Sequence, residues 1–282
     1  MSATLPARPP MRLALGDLAA LGFIGLVVVL ILFGPAIAPF SPTEFHSDNA
    51  LQPPGMTFLF GTDEFGRDVF SRVLCGARPT LLLALAAATT GVALGTLTGL
   101  IAGYAGGVLD EVLMRFMDAL MSFPALILAM LVVVMLGGNA VNVVVALGVV
   151  FWPRSARLVR SVVVEVAQRE FIDAAHSRGE AWPYILAREI LPNVRMIIVV
   201  DFSLRITYGI LLSASLAYLG IGVAPPTPAW GLMVRDGQQF LELAPWLVIF
   251  PCLAVALTAV STLLLGERVR RTVALPGGAR PR

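Results

Sequence analysis

Three groups of polar residues interrupt a sequence that is otherwise apolar, and each has a spacing suited to work. Asp201 and Arg205 lie four residues apart inside a hydrophobic run, on one face of a helix, where they can pair. Charges in such a run are expensive and usually face a cavity or a partner, so the pair is a candidate for a pathway lining. A mutually satisfying structural ion pair is the competing reading. The stretch Glu170-Phe171-Ile172-Asp173-Ala174-Ala175-His176-Ser177-Arg178-Gly179 sets carboxylates beside two small residues and ends on a glycine. It reads as a short helix with Ala174 and Ala175 on a face another surface can approach closely, a turn at Gly179, and a second helix ended by Pro192. Near the N-terminus, Asp63, Glu64, Arg67, Asp68 and Arg72 mix both signs of charge over ten residues. Such a group either meets a partner or orders its own loop through salt bridges.

Several chemistries are excluded by residue type. The chain has no lysine, so the phosphate-cradling G-x4-G-K-[ST] loop is absent. There is no H-E-x-x-H motif, and Asp201 is the one carboxylate well inside an apolar run, which leaves an intramembrane protease without a two-carboxylate site. Cys75 and Cys252 suggest no disulfide framework, and with two cysteines and two histidines, His46 and His176, no metal site is expected.

The elements that must hold these residues follow from composition. Hydrophobic residues make up 57% and charged residues 13% of the chain, against roughly 25% charged in an ordinary soluble domain. The mean hydropathy is +0.85. The apolar residues are gathered in blocks: Leu18 to Ala38, Thr80 to Gly103, Ala119 to Leu136, Gly137 to Trp152, Met196 to Leu219 and Leu243 to Leu265. About 20 residues at about 1.5 Å each cross the hydrocarbon of a bilayer, and backbone facing lipid must be bonded within its own segment, so these are spanning helices. The fourth run is short unless Pro153 and the stems of Arg154 and Arg157 extend it, with Trp152 at the interface. Ala36-Ile37-Ala38 resembles a signal cleavage site, but the first run is longer than a signal core and Pro39 follows at once, so a retained helix is expected. Pro124 and Pro251 fall inside the third and sixth spans, where they can kink them.

Six spans with the N-terminus inside place fifteen arginines on the inner side and Arg67, Arg72, Arg78 and Arg235 on the outer side. The positive-inside rule favours this arrangement, with both termini cytoplasmic. Arg154, Arg157 and Arg160 form one basic stripe suited to phospholipid headgroups, with contact to a partner protein as the alternative. The long polar segments are then Pro39 to Pro79 outside, Pro153 to Arg195 inside, and the proline-rich Gly220 to Glu242 outside.

The inner segment resembles the E-A-A-x3-G-x9-I-x-L-P signature of binding-protein-dependent ABC importer permeases, carried by Asp173, Ala174, Ala175, Gly179, Leu191 and Pro192. Asp173 stands for the usual Glu, and Glu189 stands where Ile is common. Gly61-Thr62-Asp63 to Arg72 resembles the G-T-D-x-x-G-R-D-x-x-S-R block of the oligopeptide, dipeptide and nickel permeases, C-type subunit, and Tyr218 to Gly231 resembles a second block of the same subunits. The tail after Leu265 and the residue Ser213 depart from that pattern.

The resemblance implies an all-α polytopic membrane protein with six transmembrane helices in the type I ABC importer permease fold. It implies an N-terminal segment, residues 1–79, holding the first helix and an outer loop, and a permease core, residues 80–282, holding five helices and the coupling loop. It implies docking of Glu170, Asp173, Ala174, Ala175, Gly179, Leu191 and Pro192 on an ATPase subunit, and outer-loop contacts through Asp63, Arg67 and Asp68. The expected partners are a second permease, two ATPase subunits, an extracytoplasmic binding protein and membrane lipid, with no nucleic acid. The chain binds no cofactor itself; ATP and Mg belong to the ATPases. Di- and oligopeptides are the expected cargo, with nickel complexes, opines and glutathione as alternatives, in a bacterial inner membrane. A self-contained channel or secondary transporter would have to explain the long inner segment without a partner.

Overall fold

A computed structural model describes residues 32–274 together with residues 22, 25 and 29. Its regular elements are helices, and an isolated bridge between Thr62 and Asp68 is the only strand-like pairing among the described residues. Helix α1 is described at residues 22, 25, 29 and 32–37, so most of the expected first span, Leu18 to Ala38, lies outside the described residues. The outer segment that follows contains one short 3-10 turn, Ser47–Asn49.

Helix α2, Val69–Ala105, begins eleven residues before the expected second span, and the expected domain boundary at residues 79 and 80 falls inside it. Its start is fixed by Asp68, whose side chain accepts from the backbone N–H and the hydroxyl of Ser71 and so satisfies an otherwise orphaned helix donor. It ends at Gly106, with φ +61°, where the cap N–H returns to the Ala102 carbonyl.

Along α2 the residues Gly91, Gly95, Gly99 and Gly103 recur every four positions and lie against helix α5, Ala140–Ala167. A Cβ on Gly95 would stand 2.4 Å from the Ser155 Cβ, and one on Gly103 would stand 2.8 Å from the Val163 Cβ. Lipid tails are as apolar as leucine, so helices in a bilayer associate through close van der Waals packing, and a glycine stripe permits it. Helix α5 carries Pro153 in its interior and is 28 residues long, about 42 Å at 1.5 Å per residue. The expected fourth span therefore continues well past Trp152.

The expected third span is broken. Helix α3, Gly107–Met121, and helix α4, Ala125–Leu136, meet at 93°. Pro124 has no N–H and crowds Phe123 out of the helical region, which ends α3 and restarts the chain as α4. Carboxylates on α3 tie it to α5, with Asp110 paired to Arg160 and Asp118 to Arg157. The rings of Phe116 and Trp152 meet edge-on between them at 5.9 Å.

The inner segment forms helix α6, Glu170–Ser177, then helix α7, Trp182–Tyr184, a π-helical stretch Ile185–Ile190, and helix α8, Leu191–Tyr218. From Trp182 to Tyr218 these form one continuous rod of 37 residues. Pro192 does not end the second inner helix as expected. It sits in the first turn of α8, just after the wide turn in which the Leu191 N–H reaches back to the Leu186 carbonyl. The Asn193 amide donates to the Glu189 carbonyl and covers a neighbouring acceptor. Helix α9, Trp230–Gly237, lies in the expected outer loop, and helix α10, Trp246–Ala274, runs through Pro251 without a break.

Among the described residues four helices are long and apolar enough to cross a bilayer, five if the bent pair α3 and α4 counts as one crossing. One core cluster joins the N-terminal end of α2 to α9 and α10 around Trp230, Met233 and Leu247. Another joins α4, α5 and α8 around Leu147, Phe151 and Leu216. A third joins α5, α6, the π-helical stretch and α8 at the inner end around Val159, Ile172, Ile185 and Ile190. Large apolar side chains such as Leu97, Val134, Met135 and Leu257 remain outside these clusters and are exposed, as lipid contact requires.

Candidate functional site

The inner segment is built around a two-faced helix. Ile172 and Ala175, three residues apart on α6, are fully buried against Ile185, Leu186 and Ile190. Glu170, Asp173, Ala174 and Ser177 stand on the exposed side. The expected close-approach face is thus divided: Ala174 is available to another surface, and Ala175 is part of this chain's own packing. The helix closes with paired backbone bonds, from the Gly179 N–H to the His176 carbonyl and from the Glu180 N–H to the Ala175 carbonyl. This is a Schellman ending, and it requires the left-handed φ of +74° that Gly179 adopts.

Beyond the turn, Arg178 bridges Glu180 at 2.7 Å and Glu189 at 3.7 Å, which ties the loop to the π-helical stretch. The Tyr104 hydroxyl lies 2.7 Å from Nε2 of His176 and joins α6 to the inner end of α2. Leu191 is half-buried and Pro192 is exposed. Trp182 and Tyr184 are 57% and 50% exposed and extend the outward face with aromatic surface. Sequence reasoning did not single them out, although aromatic residues around a proline in a charged segment are a usable sign of an interaction surface.

Asp201 and Arg205 close on one another. Arg205 Nη2 donates to Asp201 Oδ1 at 2.7 Å, the Ser155 hydroxyl donates to the other carboxylate oxygen, and Arg205 Nε donates to the Ser155 hydroxyl. Both charged side chains are buried, and the triad fastens α5 to α8. Ser155 was not expected in this role; nothing in the sequence marks it beyond being a small polar residue inside a span.

The outer segment is a cap folded on itself. Asp63 accepts from the N–H of Phe65, from the N–H of Arg67 and from Arg67 Nε at 2.6 Å. Arg72 approaches the same carboxylate at 3.5 Å and donates to the Pro42 carbonyl. Arg67 also lies over the Phe65 ring, with its guanidinium carbon 4.6 Å from the centroid. Trp246 donates to the Thr62 carbonyl, Trp230 donates to the Val73 carbonyl, and Phe60 stacks on Phe250 at 3.8 Å.

Asp63, Arg67 and Asp68, the expected outer contacts, are therefore all turned inward and buried. What the cap presents outward is mixed: Phe45, Met56, Leu59 and Phe65 are exposed beside Glu44, Asp48 and Gln52. A small cleft remains between Asp63, Glu64, Arg67, Arg72 and Asp236, closed at the back by Met233 and Leu247. Burial raises the carboxyl groups of Glu64 and Asp236 above the usual range.

Two larger apolar grooves flank α8. One of about 490 Å³ lies between α8 and α10 and includes Leu126, Ser215, Tyr218 and Cys252; the other, of about 620 Å³, lies between α2 and α8 and includes Thr96, Leu97, Arg195 and Phe202. Neither contains Asp201 or Arg205.

With this geometry in view, residues 95–274 match the family described as binding-protein-dependent transport system inner membrane component. The chain is 37% identical over 255 residues to the dipeptide transport system permease protein DppC of Alkalihalophilus pseudofirmus, covering 89% of this chain and 84% of that one. It is 41% identical over 249 residues to the glutathione transport system permease protein GsiD of Escherichia coli, covering 88% and 82%. The fold is similar to a chain of the MetNI methionine ABC transporter in an inward-facing conformation, with a TM-score of 0.59 at 18% identity, covering 72% of this chain and 96% of that one. An all-α membrane architecture, an inner helix-turn-helix with a Schellman ending and this match over most of its length place the chain in the family of binding-protein-dependent inner membrane transport permeases.

Proposed function

We propose that this chain is one of two membrane subunits of an ATP-driven importer that carries di- and oligopeptides inward, with glutathione as the second candidate cargo. The observation that carries the reading is the inner loop. It is a small helix, locked by a glycine turn, that keeps Glu170, Asp173 and Ala174 outside the chain's own packing. The names of the dipeptide and glutathione relatives support the cargo.

In this reading the inner loop docks on an ATPase subunit. Two ATPases hold ATP and Mg, close on nucleotide, and push the inner loops of this chain and of a second permease. The spans then alternate between inward-open and outward-open forms, the latter facing a loaded binding protein. Moving such an equilibrium from 1:99 to 99:1 takes roughly 5.5 kcal/mol of differential binding, which ATP-driven closure supplies and this chain, without a phosphate-binding lysine, does not. The chain is a transport subunit rather than an enzyme. It lies in the inner membrane with both termini cytoplasmic, as the arginine distribution favours. The closed Asp201–Arg205–Ser155 triad supports the structural ion-pair reading of those residues, as a clasp between spans.

The test is reconstitution of the chain with its partner permease, ATPases and binding protein in proteoliposomes. The expected result is ATP-dependent uptake of a tritiated dipeptide, with unlabelled glutathione used to rank the two cargoes by competition. ATP hydrolysis by the purified chain alone, or uptake without the ATPases, would overturn the reading.

A further inference from the structure

We infer that the groove between α2 and α8 binds an anionic phospholipid of the inner leaflet, with one acyl chain along the groove and the phosphate on Arg195. The inference takes the inner placement of Pro153 to Arg195 from the reading above and is otherwise independent of the cargo.

The groove has the length of one leaflet. Its α8 wall runs from Leu191 to Phe202 and its α2 wall from Thr89 to Leu100, so the ends of each wall are eleven residues apart. That is about 17 Å at about 1.5 Å per residue, against about 15 Å for half the hydrocarbon of a bilayer. Leu100 and Leu191 pack together in the inner core cluster, which marks their end of the groove as the inner one and sets Phe202 toward the midplane. A volume of about 620 Å³ is in the range that holds a small ligand.

The charge stands at the inner end. Arg195 is the one charged residue among the described lining, and it immediately precedes Met196, where the apolar run begins. Its side chain is exposed and has no ion pair or hydrogen bond among the described residues, whereas Arg157, Arg160, Arg169 and Arg178 on the same side each hold a carboxylate. A guanidinium at this depth extends to the headgroup level, and its forked donors fit a phosphate. At the opposite end the Thr89 hydroxyl is spent on the Leu85 carbonyl, so that part of the groove has no polar group to satisfy. The groove between α8 and α10 differs: no charged residue lines it, and nothing there selects an anionic head.

The experiment isolates the chain from its native membrane with the subunits that accompany it and exchanges the assembly into a mild detergent. Native mass spectrometry then measures retention of added palmitoyl-oleoyl phosphatidylglycerol against the matching phosphatidylethanolamine. The parent assembly should hold phosphatidylglycerol more tightly. Arg195→Ala should weaken that binding about tenfold, as one lost charge-assisted contact implies, and Arg195→Lys should recover much of it. Val199→Trp, at a 45% exposed position on the groove wall, should reduce retention of both lipids by filling the groove. Arg154→Ala, which removes an exposed inner arginine outside the groove, should change neither. Equal retention of the two lipids by the parent, full retention in Arg195→Ala or Val199→Trp, or an equal loss in Arg154→Ala would overturn the site. So would displacement of phosphatidylglycerol by inorganic phosphate, which would mean an anion held without its chain, or a photoreactive residue at Leu97 that crosslinks to a second permease in place of lipid. Dipeptide uptake is read separately, so failure of the lipid site and failure of the importer reading give different results.

Discussion

At the outer cap, Asp63 gathers Arg67, Arg72 and two backbone donors into a buried knot, and the surface left to solvent mixes Phe45, Met56, Leu59 and Phe65 with Glu44, Asp48 and Gln52. At the inner loop the motif's charges are placed the other way: Ile172 and Ala175 go inward, and Glu170 and Asp173 stay in water. A buried charge that loses its partner is costly, whereas an exposed one contributes little to the fold. The cap's buried charges therefore belong to stability, and Glu170 and Asp173 of the loop are left outside this chain's own packing. Resemblance by motif alone treats the two sets as equivalent.

The sharpest way to break this comparison is at Asp63. Asp63→Ala removes the carboxylate that two buried guanidinium groups share, leaving Arg67 with Glu64 alone and Arg72 without an acid, and should cost roughly 3–5 kcal/mol, read as a lower thermal unfolding midpoint in detergent and a lower membrane level. A variant that accumulates and melts normally would mean the knot is not holding the cap.

Next in size is the divided alanine pair. Ala175→Trp overpacks the inner cluster and should destabilise the chain by about 1–3 kcal/mol, and Ala174→Trp should leave the melting midpoint unchanged while loosening the ATPases in a pull-down. Equal effects of the two on stability would remove the distinction between the faces.

Gly179→Val meets no neighbour, so its penalty comes from the left-handed backbone alone, about 1–2 kcal/mol. The expected result is a normal membrane level with less dipeptide carried per ATP hydrolysed. Unchanged transport efficiency would show that the angle of this turn is immaterial.

The smallest effect belongs to the cleft. Burial raises the folded-state carboxyl of Asp236 above its unfolded value, so the folded state holds the proton more tightly. Stability should then fall as pH rises from the unfolded carboxylate value through the raised one. Asp236→Asn should flatten that decline, which thermal melts across this window would detect. An identical pH slope in the two proteins would assign the slope to other groups.

Much of this fold was legible because bilayer crossing imposes length and hydropathy, which a sequence displays directly. The spans from Thr80 onward were found on that basis, whereas the turn at Gly179 was read from the glycine itself. The break at Ser122 to Pro124 was hidden because Ala119 to Leu136 is apolar on both sides of it, so hydropathy cannot distinguish a kink from a right-angled bend. Reading Pro192 as a stop failed because the wide turn before it absorbs a residue that cannot donate. The glycines at 91, 95, 99 and 103 stand at a four-residue spacing, but the sequence analysis did not single them out, and nothing in the sequence marks the helix they face. That Asp63, Arg67 and Asp68 order their own loop was one of the two readings the sequence left open, and which of the two holds was not legible. It depends on Trp246, Asp236 and Phe250, which are more than 160 residues away along the chain.

The π-helical stretch Ile185–Ile190 has a consequence for direction. Successive residues of an α-helix are set about 100° apart around its axis, so residues added to or removed from a rod change the bearing of everything beyond them. Here the adjustment lies between the exposed Trp182 and Tyr184 and the spanning part of α8. The number of residues in this stretch, more than their identity, sets the compass heading on which the inner aromatic face meets its partner. A one-residue deletion there would preserve the hydropathy profile and leave that face pointing elsewhere.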